Sequence, residues 1–139
     1  MALKMTIEEL RTFLDEVFPQ VKDEFEIEDL SETEITVRLK VSDKHLRPGG
    51  TVSGPSMFGL ADVCFYLITL ANVGPKALTV TTNCSIDFMR KPAPNDMIAK
   101  ARLLKLGKAL AVGDVLLFSE GMKKPVAHAN LTYSIPPKG

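Results

Sequence analysis

Between Gly50 and Tyr66 the sequence reads GTVSGPSMFGLADVCFY, an apolar segment that holds one carboxylate, Asp62. At 3.6 residues per turn Asp62, Tyr66 and Thr69 project within a narrow arc, with Pro55 on the same side, while Leu60, Val63, Cys64, Leu67, Ile68 and Ala71 fill the rest. The carboxylate thus belongs to a polar stripe on a helix whose other faces are dry. Buried and unpaired, it would cost several kcal/mol or take up a proton, so it requires hydrogen-bond donors, a subunit interface or a cleft. Three roles fit this pattern: a structural carboxylate bonded to turn amides, a base or nucleophile, or a group that orients a ligand.

Gly54 precedes Pro55, a residue suited to the first helical position because the N–H it lacks would be unpaired there. The Gly54 N–H therefore lies where the macrodipole is positive and free donors converge, a place for an oxyanion. Glycine also lets a substrate approach the backbone closely. A carbonyl oxygen held there is expected to bring an acyl carbon within reach of the carboxylate two turns into the helix. The competing explanation for Gly54 is steric, a requirement of the loop-to-helix turn.

The elements that must position these groups are legible around them. Thr6-Ile7-Glu8-Glu9 matches a capping box, and Leu10, Phe13, Leu14 and Val17 follow at helical spacing, which predicts an amphipathic helix over residues 6–18. After Pro19, Phe25 and Ile27 alternate with acids, and Ile35, Val37, Leu39 and Val41 alternate with polar residues across a DLSE turn, a hairpin with one dry face. Ser42 to Pro55 is dense in glycine, proline and small polar residues and reads as a loop; the central helix is expected over 55–72, ended by NVGP. Four strand-like segments follow, at 78–88, 97–106, 109–119 and 125–135. In the first, Leu78, Val80, Thr82, Cys84, Ile86 and Phe88 share one expected face, and Thr79, Thr81, Asn83, Ser85 and Asp87 the other.

The inward rows of the last three strands are Ala99, Ala101 and Leu103, then Ala111, Gly113, Val115 and Leu117, then Ala127, Ala129, Leu131 and Tyr133. Many of these are small, and close packing requires the space beside them to be filled by something bulky. The helix 55–72 is the available occupant. The fold expected is α+β, a single domain over 1–139 in which an antiparallel sheet curls around one long helix; the competing arrangement is an open-faced sandwich with the helix lying flat.

Charge and composition narrow the function classes. Seventeen basic residues balance seventeen acidic ones, so no global field favours nucleic acid or an anionic membrane. Asp62 would be costly at the centre of a membrane span. Cys64 and Cys84 lie in apolar stretches without metal-ligand spacing, which argues against a disulfide framework or zinc site. MALKMTIEEL lacks the regions of a signal peptide and points to a cytoplasmic protein. A DNA-binding regulator would need a basic helical module, and only one short acidic helix precedes the sheet.

RPGGTVSGPSMFGLADVCFY, followed by TTNCSIDFMRKPAPNDMIAKARLLKLGKALAVGDVLLFSEGMKKPVAHANLTYSIPP, resembles the hotdog-fold acyl-CoA thioesterases of the phenylacetate-degradation (PaaI-like) group. The likeness spans residues 30 to 136 and includes the glycine before the helix, the LAD on it, the PAPND turn and the closing AHA and TY pattern. It implies a helix wrapped by an antiparallel sheet, a homodimer joined edge to edge with a dimer of dimers as the expected larger assembly, and active sites at the dimer interface. By position it makes Asp62 the catalytic carboxylate, as nucleophile or as general base on water. Gly54 becomes the donor that polarises the thioester carbonyl, and Thr81, from the partner subunit, a hydroxyl that helps position water. Many members carry His-Gly-Gly where this chain has Ser53-Gly54-Pro55, and Asn or Gln where Arg47 aligns. These departures remove one usual means of ordering the loop and the water.

Ser53, Arg47, Phe58 and Tyr66 are the substrate-binding candidates beside these three, Tyr66 as an acyl-pocket wall or as a partner of Asp62. Arg90 and Lys91 at a strand end, and Lys105 and Lys108 around the LGK turn, are the candidates for CoA phosphates, set against an ordinary role as solvated loop cations. His45 lies in the loop where it could touch substrate, and His128 is expected to point outward from the sheet. The activity expected is hydrolysis of a small-molecule acyl-CoA with no metal and no cofactor beyond the CoA of the substrate. The alternatives are a non-catalytic acyl or acyl-CoA binding protein and, within enzymes, a hotdog dehydratase, whose usual histidine near the helix start is Ser53 here.

Overall fold

The computed structural model describes residues 3–137. Helix α1 spans Ile7–Val17 and carries the expected cap: Thr6 N–H donates to Glu9 Oε1 (2.9 Å) and Glu9 N–H to Thr6 Oγ1 (3.1 Å). Its apolar stripe buries Leu10 and Leu14. Strands β1 (Phe25–Leu30) and β2 (Glu34–Leu39) form the expected hairpin, and α2 (Gly54–Val73) runs one residue beyond each expected end. Strands β3 (Val80–Phe88), β4 (Met97–Leu106), β5 (Leu110–Ser119) and β6 (Ala127–Ser134) complete one six-stranded antiparallel sheet in the order β1-β2-β4-β5-β6-β3.

The sheet curls around α2, which packs against β2, β3, β4, β5 and β6. This is the hotdog arrangement rather than an open-faced sandwich. The small inward residues explain the enclosure: Ala99, Ala111, Ala127 and Ala129 are fully buried, and the Phe65 ring of α2 lies so close over Gly113 that it occupies the place a Cβ would take. By length and composition α2 could cross a membrane, but it is instead the core helix of this sheet.

One strand departs from simple alternation. β3 pairs with β6 through Thr81↔Tyr133 and then Asn83↔Thr132, so the register shifts between Thr81 and Asn83. A bulge inserts an unpaired residue and re-aims the side chains on either side of it. Consequently Leu78 and Val80, expected to share a face with Cys84 and Ile86, are 74% and 51% exposed, while Thr79 is buried and Thr81 turns toward α2; Cys84 and Ile86 beyond the bulge pack on the core. The far edge of β3 has no strand partner among the described residues.

Candidate active site

Asp62 lies on α2 beneath β3 and β6. Its Oδ1 accepts two short hydrogen bonds, from Thr81 Oγ1 and from Tyr133 OH, both 2.6 Å. The Tyr133 hydroxyl is also 3.0 Å from the Asp62 carbonyl oxygen. Thr81 and Tyr133 are cross-strand partners, so one rung of the sheet delivers both hydroxyls to one carboxylate oxygen. Burial, and then the negative charge of Asp62, push the Tyr133 phenol far above its ordinary range. It therefore stays protonated as a standing donor. The second carboxylate oxygen has no hydrogen-bond partner among the described residues, and Asp62 lines a cavity of about 520 Å³ with Tyr66, Thr79, Thr81 and Tyr133. The result is an anchored carboxylate with one oxygen free to act.

This geometry corrects several expectations. Thr81 was assigned by resemblance to the partner subunit, but here it serves the carboxylate of its own chain, because the bulge at Thr82 turns it inward. Tyr66 does not bond Asp62; its hydroxyl donates to Ala77 O (3.2 Å), and it lines the cavity. Thr69 leaves the polar stripe, being fully buried with its hydroxyl bonded to Phe65 O one turn back (2.8 Å). Gly54 also cannot serve the Asp62 of its own helix. Eight residues of α-helix separate them by about 12 Å of rise. A hydrogen bond, a C=O bond and an attack distance together span only roughly 7–8 Å.

The other candidates divide by location. Ser53 is the N-cap of α2, accepting from Ser56 N–H (3.2 Å) and donating to Ser56 Oγ (2.9 Å). The Gly54 N–H belongs to the first turn, where helix donors are left unpaired. The Phe88 ring stands beside Gly54, 3.5 Å from where a Cβ would be, so Arg90 and Lys91, which follow in sequence, lie at the same end of α2. Arg90 donates to Pro125 O (2.7 Å). Arg47 is exposed in a turn closed by its own backbone, with Gly49 and Gly50 at positive φ, and Phe58 is exposed outside the Asp62 cavity. Lys105 and Lys108 line hollows shared with Asn72, at the opposite end of α2. Within one chain the four cations therefore form two separate groups.

His45 does not reach the cavity. It is buried, accepts Ser42 N–H at Nδ1 (2.9 Å) and meets Glu24 at Nε2 (2.9 Å), while its carbonyl takes the N–H of Ser53 (2.8 Å). It clasps the loop that sets the start of α2. Burial alone would raise the Glu24 carboxyl, but hydrogen bonds from Lys44 and His45 outweigh it and hold the group below its ordinary 4.5. A depressed folded-state value means that the clasp contributes stability above about pH 4.5 and loses it as pH falls through the folded value. Glu24→Gln is accordingly expected to melt below the wild type at pH 7, with the gap closing toward pH 3 in thermal scans.

His128 points outward, as expected, and joins Arg102 on Asp114 on the outer face of the sheet. Tyr133 is the residue that sequence reasoning placed inward without a role. The available signal was its hydroxyl: in a row of small apolar side chains a buried phenol needs a partner.

Residues 49–126, more than half of the chain, match the family model described as "Thioesterase superfamily". The chain belongs to the thioesterase superfamily. Among solved structures it is similar to a candidate thioesterase from Silicibacter sp. TM1040, at 60% identity over 99% of this chain and 96% of that one, with a TM-score of 0.92. A variant of the phenylacetic acid degradation protein PaaI from Thermus thermophilus is 28% identical, covering 85% of this chain and 99% of that one at a TM-score of 0.72. A Streptococcus mutans protein crystallised with acetyl-CoA shares the fold at 23% identity and a TM-score of 0.71, covering 82% and 90% of the two chains. Tyr133→Phe removes one of the two hydroxyl donors to Asp62 and is expected to lower turnover about tenfold to a hundredfold, the range of a hydrogen bond to a charged group. Steady-state kinetics on the soluble variant would test this.

Proposed function

We propose that this protein hydrolyses acyl-CoA thioesters in a crevice formed by two of its copies. The observation that carries the reading is the Asp62 carboxylate on the cavity wall, with one oxygen fixed by Thr81 and Tyr133 and the other without a hydrogen-bond partner among the described residues. The oxyanion donor then comes from Gly54 of the partner subunit, since the helix rise excludes the same chain. The unpaired edge of β3, with Val80 and Phe88 exposed along it, is the seam along which two sheets join.

In this reading the thioester carbonyl oxygen rests on the helix-start N–H, which stabilises the charge that develops there. Asp62 then either adds its free oxygen to the acyl carbon or takes a proton from a water that adds. In both routes the C–S bond breaks, CoA leaves as its thiolate, and water supplies the hydroxyl of the released acid. Family membership and a fold shared with a protein crystallised with acetyl-CoA support CoA thioesters as the substrate class. Arg90 and Lys91, which follow the Phe88 ring beside Gly54, are the candidates for its phosphates at that end of α2.

A thiol-release assay over short, medium, long and aromatic acyl-CoAs tests the proposal, with calorimetry on the same ligands. Free CoA from at least one class, at a rate that depends on Asp62, is expected. Tight binding without release would instead make the protein an acyl-CoA sensor, the reading favoured by the commitment of the Ser53 hydroxyl to the helix cap.

A further inference from the structure

The cavity beside Asp62 has a wall that belongs to neither the central helix nor the sheet. Val17 and Phe18, at the close of α1, line it together with Val63 and Tyr66 of α2. Phe18 is fixed there by its backbone, since its N–H donates to Leu14 O (2.8 Å) and Pro19 stops the helix at the next residue. Yet Phe18 remains 40% exposed and Val17 38% exposed. Two adjacent large apolar groups are thus held rigidly against a cavity rather than buried in the core.

We infer that the end of α1 is a specificity wall for the acyl group: Val17 and Phe18 select uncharged, apolar acyl chains longer than acetyl and disfavour those ending in a carboxylate. The inference rests on the thioesterase reading above. With the acyl carbon at Asp62, the CoA arm must lead to solvent, and the acyl tail has the open cavity beside Asp62 as its path. Among the described residues of this chain, Asp62 is the only charged one lining that path. A terminal carboxylate would meet no cation of this chain's described residues there and would be repelled by Asp62. An acetyl group would leave Val17 and Phe18 uncovered, whereas a longer chain buries them and gains from the apolar surface removed from water.

The test compares kcat/KM for acetyl-, octanoyl- and succinyl-CoA in the wild type, Phe18→Ala and Val17→Phe. In the wild type octanoyl-CoA is expected to exceed both others at least about tenfold, a difference of 1.4 kcal/mol. Phe18→Ala should reduce the octanoyl-to-acetyl ratio about tenfold, and Val17→Phe, which adds bulk to the same wall, should move the optimum toward shorter chains. Unchanged ratios in both variants, or succinyl-CoA turned over as well as octanoyl-CoA, would overturn the inference. So would an altered oligomeric state by light scattering with unchanged selectivity, because the wall would then be covered by a second copy. If the wild type releases thiol from none of the three, the hydrolytic reading has failed, and calorimetry with the thioether S-octyl-CoA decides the pocket separately. Binding weakened tenfold by Phe18→Ala upholds the wall, and equal binding removes it.

Discussion

Asp62→Asn is expected to lower kcat for acyl-CoA hydrolysis by about a thousandfold or more while leaving the fold intact. The two halves of this expectation have separate physical causes. Asparagine keeps a carbonyl oxygen where Asp62 Oδ1 accepts from Thr81 and Tyr133, so the rung joining α2 to β3 and β6 persists. It replaces the free oxygen, however, with an amide nitrogen that can neither attack an acyl carbon nor accept a proton. Circular dichroism and melting should match the wild type within a few degrees. A residual rate within tenfold of the wild type would remove Asp62 from the chemistry.

Gly113→Ala should have the largest effect on stability. A Cβ at this position would run into the Arg102 carbonyl oxygen on β4 and the edge of the Phe65 ring on α2. Neither can yield easily. Arg102 is held in the β4–β5 ladder, where Leu103 opposes Gly113 and Arg102 opposes Asp114, and Phe65 is fully buried. Overpacking of this kind costs about 3 kcal/mol, roughly a 10 °C fall in melting temperature for a chain of this size. Thermal or urea unfolding would measure it. A variant within 1 kcal/mol of the wild type would show that the sheet can move away from the helix at this point.

The same glycine shows how much of the fold the sequence carried. Ala and Gly along the inward rows leave room for a bulky helix, and a segment apolar almost all round, save one narrow polar stripe, is that helix; together they specify the enclosure. The capping box of α1 was legible residue by residue, because its hydrogen bonds are local. The β3 faces were misassigned for a physical reason: a single bulge residue, Thr82, reverses inward and outward, and no composition change marks it. That reversal made Thr81 a neighbour of its own chain's Asp62 and left Leu78 and Val80 exposed. Tyr133 and Phe18 were missed because they reach the cavity from β6 and α1, a juxtaposition set by long-range packing. The carboxylate itself was legible, since one charge on a buried helix demands an explanation.

The central claim is that the site needs Asp62 from one copy and Gly54 from another, and mixing two inactive variants tests it most directly. Asp62→Asn removes the carboxylate, and Gly54→Pro removes the donor N–H at a helical position that tolerates proline. Refolded together in equal amounts, half of the dimers carry one lesion on each chain. In a shared site each such dimer retains one intact pair, so the mixture should recover about one quarter of wild-type activity. If each site were built from a single chain, every site in the mixture would carry a lesion. Activity no higher than that of the separate variants, in a preparation shown to contain mixed dimers, would contradict the account.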